Sequence, residues 1–385
     1  MAELKTKPDI RFTGFTDAWE QRKLGDEAEI LAGGDVDKSK LSEKGKYPVI
    51  ANALTGDGII GYYDDEYRIK VPAVTVTGRG DVGHARARTI NFTPVVRLLS
   101  VKSKHDSYFL ENAINTHRVI IESTGVPQLT VPQLSSYEIW FSSLEEETRI
   151  GMFFKKLNDL ITLHQREYDK TVNIKKAMLE KMFPKDGADK PEIRFAGFTD
   201  AWEQRKVSDL VTPIVREVPK PTEPYDKISV RSHAKGTFHQ RIENPDIVAM
   251  DKLFVVKEND LIVNITFAWE HAIAVATKND DGLLVSHRFP TYIMNNSDVG
   301  FMKYVVSQEG FRRKMELISP GGAGRNRVLD KKGFLDIEVI APNKISEQNR
   351  IGNVFLELDR LITLHQRELE KLQNMKKAML EKMFV

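Results

Sequence analysis

The segment best suited to binding chemistry is VPAVTVTGRGDVGHARAR, which begins at residue 71. Gly78, Gly80 and Gly83 follow a predicted strand with the G-x-G-x-x-G spacing of a dinucleotide-binding turn. The continuation HARARTINFTP predicts another strand, so the helix whose N-terminus would hold a pyrophosphate is missing. A tight hairpin that needs glycine backbone angles is therefore the better interpretation.

The same hairpin concentrates positive charge beside exposed backbone amides. The candidate contacts are Arg79, Gly80, His84, Arg86 and Arg88. Arginine binds phosphate oxygens and pairs with the O6 and N7 edge of guanine. We therefore predict a nucleic-acid contact here, with an ordinary solvated loop as the alternative.

Two segments of the second half, RSHAKGTFHQR and SPGGAGRNR, also combine glycine with basic side chains. Their candidate contacts are Arg231, His233, Lys235, Arg325, Asn326 and Arg327. A solvated surface loop is the ordinary interpretation of either segment alone. The presence of such loops in both halves favours nucleic-acid binding.

The composition sets limits on other functions. A chain of 385 residues accommodates two or three domains. The chain has no cysteine, which excludes disulfides, zinc fingers and thiol catalysis. Its 57 basic and 55 acidic residues nearly balance, so a nucleic-acid surface must come from local clustering. The first residues lack an apolar signal segment and no run reaches the roughly 18 apolar residues of a membrane span, so we expect a cytoplasmic protein without a membrane partner.

Three pieces of the sequence occur twice. IRFTGFTDAWEQRK at 10–23 returns as IRFAGFTDAWEQRK at 193–206, and RIGMFFKKLNDLITLHQRE at 149–167 returns as RIGNVFLELDRLITLHQRE at 350–368. IKKAMLEKMF at 174–183 returns as MKKAMLEKMF at 375–384. The intervening regions do not repeat, so the chain alternates repeated and variable blocks.

The repeated blocks at 143–182 and 346–383 show apolar residues at three- and four-residue steps. This pattern predicts two helices of about 40 residues, each roughly 60 Å long at 1.5 Å per residue. The apolar stripe of one needs a partner, and the other is the comparable stripe. Short connections favour an antiparallel coiled-coil pair.

The variable blocks contain short β-like runs separated by turn residues, and short helices are expected at SYFLENAIN and FMKYVVSQEGFRRKMEL. The predicted fold class is therefore α+β: two mixed α/β, β-rich domains and two long antiparallel helices, with pseudo-twofold symmetry. The predicted boundaries are residues 1–145 and 191–345 for the domains, 146–190 for the first helix and linker, and 346–385 for the second helix.

The repeated aromatic segment has two interpretations. Its aromatic residues could belong to the cores, or the repetition could provide docking of the same partner twice. The candidate partner-binding residues there are Phe15, Trp19, Phe198 and Trp202, and those on the helices are Leu157, Ile161, Leu358 and Ile362. His164 and His365 lack companion metal ligands at suitable spacing, so a packed or register-setting role is expected rather than a metal site.

Sequence signatures of catalysis are also missing. An adenine methyltransferase would carry an aromatic-flanked Asn-Pro-Pro or Asp-Pro-Pro run, whereas Asn244 and Pro245 are followed by Asp246. The sequence contains no G-x-x-x-x-G-K-[ST] loop and no clustered metal carboxylates. We therefore expect a non-catalytic protein.

Taken together, these features resemble the specificity subunit (HsdS) of type I restriction-modification systems. The resemblance covers nearly the whole chain and rests on the two GFTDAWEQRK segments, on STGVPQLTVPQLSSYEIWFSSLEEETRIG at 123–151, and on the repeated LITLHQRE and KKAMLEKMF segments. It implies two target-recognition domains, each reading one half of a bipartite asymmetric site in double-stranded DNA, with the helices setting the unread gap. It also implies DNA contacts in loops 78–88, 123–128 and 321–327, which adds Thr124 and Gln128 to the candidates.

The resemblance further implies partners. Two modification subunits would carry S-adenosylmethionine and methylate adenine, and two restriction subunits would use ATP and Mg²⁺ for cleavage, while this chain would bind no cofactor. The alternative is a coiled-coil interaction scaffold without a role on DNA.

Overall fold

The structure is a computed structural model that describes residues 6–117, 126–185, 187–321 and 327–385. The chain divides into two compact units. Unit 1 comprises residues 1–167 together with 365–385, and unit 2 comprises residues 168–364. Both boundaries fall inside the long helices, so each unit contains a piece of each.

Unit 1 contains nine strands and three short helices among its described residues. The strands are β1 (Glu20–Lys23), β2 (Ala28–Ala32), β3 (Tyr47–Ile50), β4 (Ile59–Tyr63), β5 (Ala73–Thr77), β6 (Ala85–Arg88), β7 (Thr93–Pro94), β8 (Leu98–Ser103) and β9 (Glu138–Phe141). The helices are α1 (Leu24–Glu27), α2 (Ser107–Thr116) and α3 (Val131–Ser135), and the long helix α4 (Leu144–Lys181) begins in this unit.

The strands of unit 1 form three sheets. One has the order β2-β8-β5-β6 with antiparallel neighbours, a second has the order β4-β3-β7, and β1 pairs with β9. The sequence AVTVT of β5 is buried along its whole length, as expected for a β-branched strand in the interior of a sheet. Helix α2 packs beside β5 and β6 and buries Phe109, Leu110 and Ile114.

Unit 2 contains eleven strands and four short helices among its described residues. The strands are β10 (Glu203–Lys206), β11 (Thr212–Ile214), β12 (Glu217–Pro219), β13 (Tyr225–Val230), β14 (Thr237–Ile242), β15 (Lys252–Val255), β16 (Leu261–Val263), β17 (Ile273–Val275), β18 (Leu284–Val285), β19 (Thr291–Ile293) and β20 (Glu338–Ala341). The helices are α5 (Val207–Leu210), α6 (Val299–Val306), α7 (Glu309–Leu317) and α8 (Lys331–Leu335), and α9 (Ile345–Met383) begins in this unit.

The sheets of unit 2 are larger than those of unit 1. One has the order β11-β19-β16-β17, another has the order β12-β15-β18-β13-β14, and β10 pairs with β20. The predicted fold class of mixed, β-rich domains with two long helices is confirmed, and α4 and α9 match the predicted ranges to within a residue or two. The short helices expected from SYFLENAIN and FMKYVVSQEGFRRKMEL are α2, α6 and α7.

The two long helices pair in opposite directions within each unit. In unit 1, Phe154 of α4 contacts Phe384 just beyond α9, and farther along α4 His164 meets His365. In unit 2, Lys175 meets Asp359. Residue numbers rise along one helix as they fall along the other, which defines an antiparallel pair.

Each long helix begins with a buried carboxylate held by the repeated N-terminal segment. In unit 1, Glu146 is 0% exposed and accepts hydrogen bonds from Arg11 Nε at 2.5 Å, Arg11 Nη2 at 2.8 Å and Trp19 Nε1 at 3.1 Å. Its hydrogen bond raises the pKa of Arg11. Unit 2 repeats the arrangement with Glu347 and the equivalent donors Arg194 and Trp202. A buried charge is tolerated when its partners satisfy it in this way.

A repeated glycine lets each long helix approach the variable domain. A Cβ atom at Gly151 would lie 2.0 Å from Asp106 Oδ1, the carboxylate that caps α2 by accepting from the amide of Phe109. At Gly352 the equivalent atom would lie 2.6 Å from Asp298 Oδ1, which caps α6. The glycine of the repeated RIG motif is therefore required by close packing in both units.

The end of each long helix completes a core that the other half of the sequence began. Phe384 contacts Phe109 at 5.3 Å and Trp19 at 6.2 Å between ring centroids. In unit 2, Phe183 contacts Phe301 at 5.7 Å and the indole of Trp202 at 6.1 Å. Each core therefore depends on residues that are far apart in the sequence.

The units differ at the residue that follows the anchoring glutamate. In unit 1, Glu147 accepts from His105 Nδ1 at 2.9 Å, and His105 Nε2 lies 3.1 Å from Glu27, which also binds Arg22 and Lys104. Burial opposes protonation of His105, but its hydrogen bonds to Glu147 and Glu27 raise its pKa overall.

Unit 2 replaces this charged cluster with neutral groups. Gln348 stands where unit 1 has Glu147, and its carboxamide accepts from the amide of Asp298 at 2.9 Å and donates to the carbonyl of Pro342 at 2.8 Å. Ser297 takes the place of His105 and donates to the carbonyl of Leu210 at 3.0 Å. A neutral network of this kind does not titrate near neutral pH.

We predict that Phe384→Ala destabilises unit 1 by about 3 kcal/mol, because it leaves a cavity among aromatic rings. Hydrogen exchange in β8 and α2 measures the loss. Met375→Ala is the control, since this side chain is 39% exposed on α9. Equal protection in the two variants would contradict a core role for the terminal phenylalanine.

We also predict that unit 1 loses stability as the pH rises through the folded pKa of His105. The raised pKa means that folding favours the protonated form of His105. Its stabilisation is therefore complete at a pH below 6.5, the pKa in the unfolded chain, and is lost as the pH rises past the pKa in the folded state. The double variant His105→Ser with Glu147→Gln introduces the residues of unit 2 and should flatten this dependence. Hydrogen exchange measured across the pH range tests it, and unchanged slopes would refute it.

Candidate DNA interface

Unit 1 contains a cleft of about 1400 Å³. Strands β5 and β6, helix α2 and the adjoining parts of α4 and α9 line it. Its basic lining residues are His84, Arg86, Arg88, His117, Lys155, Lys376 and Lys377. The cleft is also lined by Asp57, Glu111, Glu138, Asp159 and Glu381, so its five arginines and lysines are matched by five carboxylates. A polyanion would therefore be bound by individual cations and not by a net positive charge.

One wall of the cleft is the edge strand β6, whose outer backbone groups are bound by side chains of α2. Asn115 accepts from the amide of Ala85 at 2.8 Å and donates to its carbonyl at 3.0 Å. Glu111 accepts from the amide of Ala87 at 3.0 Å, and burial raises the pKa of this carboxyl. The edge is thereby closed to another strand.

The arginines of β6 are positioned by neighbouring polar groups. Arg88 donates from Nε to Thr75 Oγ1 at 2.9 Å and from Nη1 to the carbonyl of Asp57 at 3.1 Å. Arg86 forms an ion pair with the carboxylate of Asp57. Burial, with the neighbouring charge of Arg86, lowers the pKa of Arg88 to about 10. Arg88 therefore remains a cation at neutral pH.

The predicted glycine hairpin is confirmed: β5 and β6 pair in antiparallel fashion, and Gly80 and Gly83 have φ values of 81° and 86°. A Cβ atom at Gly78 would lie 2.1 Å from the carbonyl oxygen of Arg97, so this position requires glycine. The turn pairs with a second loop through a bridge between Arg79 and Gln128. This brings Arg79, Gly80 and Gln128 together on the surface, while Thr124 lies outside the described residues.

The predicted contacts of unit 2 fall into two groups. Arg231, His233 and Lys235 are exposed at the turn between β13 and β14. The turn is held by a hydrogen bond from the amide of His233 to the carbonyl of Glu270 at 2.8 Å, and by one from Ser232 Oγ to the Glu270 carboxylate at 2.6 Å. The turn therefore presents three cationic or titratable side chains on a fixed backbone.

The second group of unit 2 is Arg327 with Arg325 and Asn326, of which the last two lie outside the described residues. Arg327 donates from Nε to the carbonyl of Ser319 at 3.0 Å and from Nη2 to that of Glu316 at 3.3 Å. Its guanidinium also lies 5.2 Å from the centre of the Trp269 ring. In this structure the side chain caps the C-terminal end of α7 instead of extending into solvent.

Comparison with known proteins shows a shared fold and a family resemblance over part of the chain. A family model described as the type I restriction modification DNA specificity domain matches residues 16–171. A putative type I specificity subunit of Mycoplasma pneumoniae is 30% identical over 135 residues, which cover 34% of this chain and 37% of the relative. A second from the same organism is 30% identical over 154 residues, or 37% of this chain and 50% of the relative.

The chain thus aligns with half or less of the length of these curated relatives. The crystal structure of a type I restriction-modification S subunit from M. genitalium matches over 98% of this chain and 99% of that one, with a TM-score of 0.66 and 14% identity. At this identity the match shows a shared fold. The chain is therefore similar to type I DNA specificity subunits over residues 16–171, which is less than half of its length.

The residues predicted to bind partners divide into buried and accessible groups. Trp19 and Trp202 are 2% and 3% exposed and lie in the cores, so their indoles stabilise the repeated segment from inside. Phe15 and Phe198 are half-buried beside Arg149 and Arg350, whose guanidinium groups lie 5.1 and 5.4 Å from the ring centres. In this segment the two phenylalanines are therefore more accessible than the two tryptophans.

The predicted helix residues face mainly inward. Leu157 is 4% exposed and belongs to the core of unit 1, against which Ile161 packs, and Leu358 packs against the core of unit 2. Ile362 is half-buried. A second set of apolar side chains is exposed on the same helices: Met152, Leu160, Leu163, Val172, Ile174, Leu356, Leu364 and Met375.

Several residues of the cleft escaped the sequence prediction. Lys155, Lys376 and Lys377 lie on the long helices, and helical spacing alone assigns such residues to a solvated face. Asp57 precedes β4 in a polar turn, and Glu111 lies on α2. The spacing of the three lysines carries no signal that separates them from a solvated face, and the two acids are brought to the cleft by tertiary contacts.

The described part of the chain lacks both a membrane-spanning helix and a metal-binding cluster. It contains no helix with the length and apolar character needed to cross a membrane. Across the same residues, no three histidine, cysteine or acidic side chains form a group that could hold a metal ion. His164 and His365 approach each other with 3.4 Å between their Nδ1 atoms, as a half-buried polar pair within unit 1.

We predict that Arg327→Met destabilises unit 2 by about 1 kcal/mol, because the end of α7 loses a charged hydrogen-bond donor. Thermal unfolding measures this, and the salt dependence of DNA binding should hardly change. Lys235→Met is the matched comparison: it should leave stability unchanged and reduce the slope of log K against log salt by about one. The reverse pattern would assign the DNA contact to Arg327.

Proposed function

We propose that this chain is the DNA-reading, non-catalytic subunit of a type I restriction-modification enzyme. Each unit would read one half of a bipartite, asymmetric target in double-stranded DNA, and the long helices would set the unread gap. The observation that carries the proposal is the repetition of one framework, anchored by Glu146 and Glu347, beneath two variable domains whose basic surfaces differ.

The support for DNA as the ligand comes from unit 1. Its cleft carries arginines on a sheet wall and lysines on the helical wall, and phosphate contacts of this type supply most of the affinity for DNA. The paired turn with Arg79 and Gln128 adds side chains that suit guanine and adenine edges. Unit 2 offers Arg231, His233 and Lys235 on a different turn, so its readout would differ.

The repeated surfaces would dock identical partners. The residues around Phe15 recur around Phe198 with the same cation–π contact, and Leu163 and Ile174 recur as the exposed Leu364 and Met375. Two modification subunits docked on two like surfaces would each be delivered to one of two unlike half-sites. S-adenosylmethionine for adenine methylation would belong to these subunits, and ATP and Mg²⁺ to two restriction subunits. The assembly would act in the cytoplasm.

Methylome sequencing of cells that produce this chain with its modification subunits tests the proposal. We expect N6-methyladenine in a two-part asymmetric motif with a fixed gap. Replacing residues 24–145 with those of a relative should change one half of the motif and leave the other half and the gap unchanged.

The competing interpretation is a scaffold without a DNA role, in which the basic loops are solvated surface. DNA binding by the assembled complex distinguishes the two, because readout of bases makes affinity depend on sequence and on salt. An affinity that changes with neither DNA sequence nor salt concentration would support the scaffold. A change in both halves of the motif after the exchange would show that the two domains do not read independently.

A further inference from the structure

The turn at Thr55–Gly58 lies at the rim of the cleft and holds both arginines of β6. Leu54 and Asp57 line the cleft, the carbonyl of Asp57 accepts from Arg88 Nη1 at 3.1 Å, and its carboxylate pairs with Arg86. One residue thus contacts two cations through two different groups. This role was not predictable from the sequence, because the turn has the composition of an ordinary polar loop.

The backbone of this turn is fixed in an uncommon conformation. Gly56, Asp57 and Gly58 all have positive φ, of 58°, 59° and 73°. A Cβ atom at Gly58 would lie 2.7 Å from the carbonyl of Ala51, whose amide in turn donates to the carbonyl of Gly58. Residues other than glycine adopt positive φ at a cost, and aspartate and asparagine do so most readily. Asp57 therefore occupies a backbone conformation that aspartate tolerates better than most residues.

Resting on the function proposed above, we propose that Asp57 is a positioning residue that orients Arg86 to read a guanine. The ion pair is made through Nη1, which leaves Nε and Nη2 outside this contact. Those two donors can form the bidentate pair with guanine O6 and N7. A guanidinium held by a carboxylate loses less conformational entropy when it binds, so the correct base is bound more tightly.

The same carboxylate discourages contact with the DNA backbone. A negative charge beside Arg86 repels phosphates and so weakens binding that ignores sequence. Specificity is the difference between the affinity for the target sequence and the affinity for other DNA. Base reading raises the first affinity and repulsion of phosphate lowers the second. The proposal therefore requires that removal of the charge changes the two affinities in opposite directions.

Asp57→Asn is the decisive variant, because asparagine tolerates positive φ and keeps the carbonyl that binds Arg88. The complex of the full chain with its modification subunits is used to select from a pool of duplexes with a random central segment. Binding is then measured to the selected duplex and to the unselected pool. We expect Asp57→Asn to weaken the first about fivefold and to strengthen the second severalfold.

Glu66→Gln is the matched control. Glu66 pairs with Lys40 at 3.2 Å, with side-chain exposures of 54% and 59%, close to the 50% and 51% of Asp57 and Arg86. In the described part of the chain neither member of this control pair lines the cleft. The substitution removes the same charge from the same unit and should leave both affinities unchanged.

The selected motifs supply a readout that a structural role would not alter. Asp57→Asn and Arg86→Gln should lose information at the same guanine position, and Asp57→Asn should add nothing in the Arg86→Gln background. A motif identical to that of the wild type, losses at different positions, or two affinities that rise together would each overturn the proposal. If the wild-type complex selects no motif, the proposed function itself fails; if it selects one that Asp57→Asn preserves, this inference alone fails.

Discussion

A carboxylate without solvent access stands in the first turn of each long helix, and each unit depends on satisfying it. Glu146 receives three hydrogen bonds from Arg11 and Trp19, and Glu347 receives the same three in unit 2. Removing one donor would leave charge buried and unpaired, a far larger penalty than the pair gains when intact. This asymmetry explains why the segment containing the arginine and tryptophan recurs almost unchanged: it fixes where the chain enters the domain relative to where the helix leaves it.

Repetition and periodicity were sufficient to predict the helices and the fold class, because a stripe of apolar residues forty positions long has few alternative partners. The hairpin of Gly80 was likewise predictable from local backbone requirements. The contacts of Asp57 and Arg327 were not, since both depend on which distant loop lies beside them. A basic residue in a glycine-rich loop reads the same in sequence whether it faces solvent or, like Arg327, caps a helix. Trp19 shows the same limit: repetition predicted its importance but could not distinguish core from docking surface.

The repeated framework is modified where a variable domain touches it. In unit 2, Asp359 of α9 accepts from Tyr304 at 2.6 Å and from Lys303 at 3.0 Å, and also binds Lys175. Burial alone would raise the pKa of Asp359, but its hydrogen bonds to Lys175 and Tyr304 hold it below the usual value. Asn158 occupies the equivalent position in unit 1. The acid there is supplied by Glu111 of the variable domain, near Lys376 of the helix.

In each unit the charge on the variable domain is therefore complementary to the charge on the helix face that it touches. A lysine at the position of Glu111 would lie beside Lys376, and the helix residue there, Asn158, has no charge to neutralise it. In unit 2 the equivalent lysine, Lys303, is neutralised by Asp359. Like charges across a joint cost energy even when partly solvated. The part of the helix that is matched to the variable region of unit 1 therefore extends past β9 to Asn158 of α4. Exchange of domains between relatives should preserve the charge balance of this joint, so a donor with a neutral or acidic residue at the position of Glu111 fits the helix as it stands.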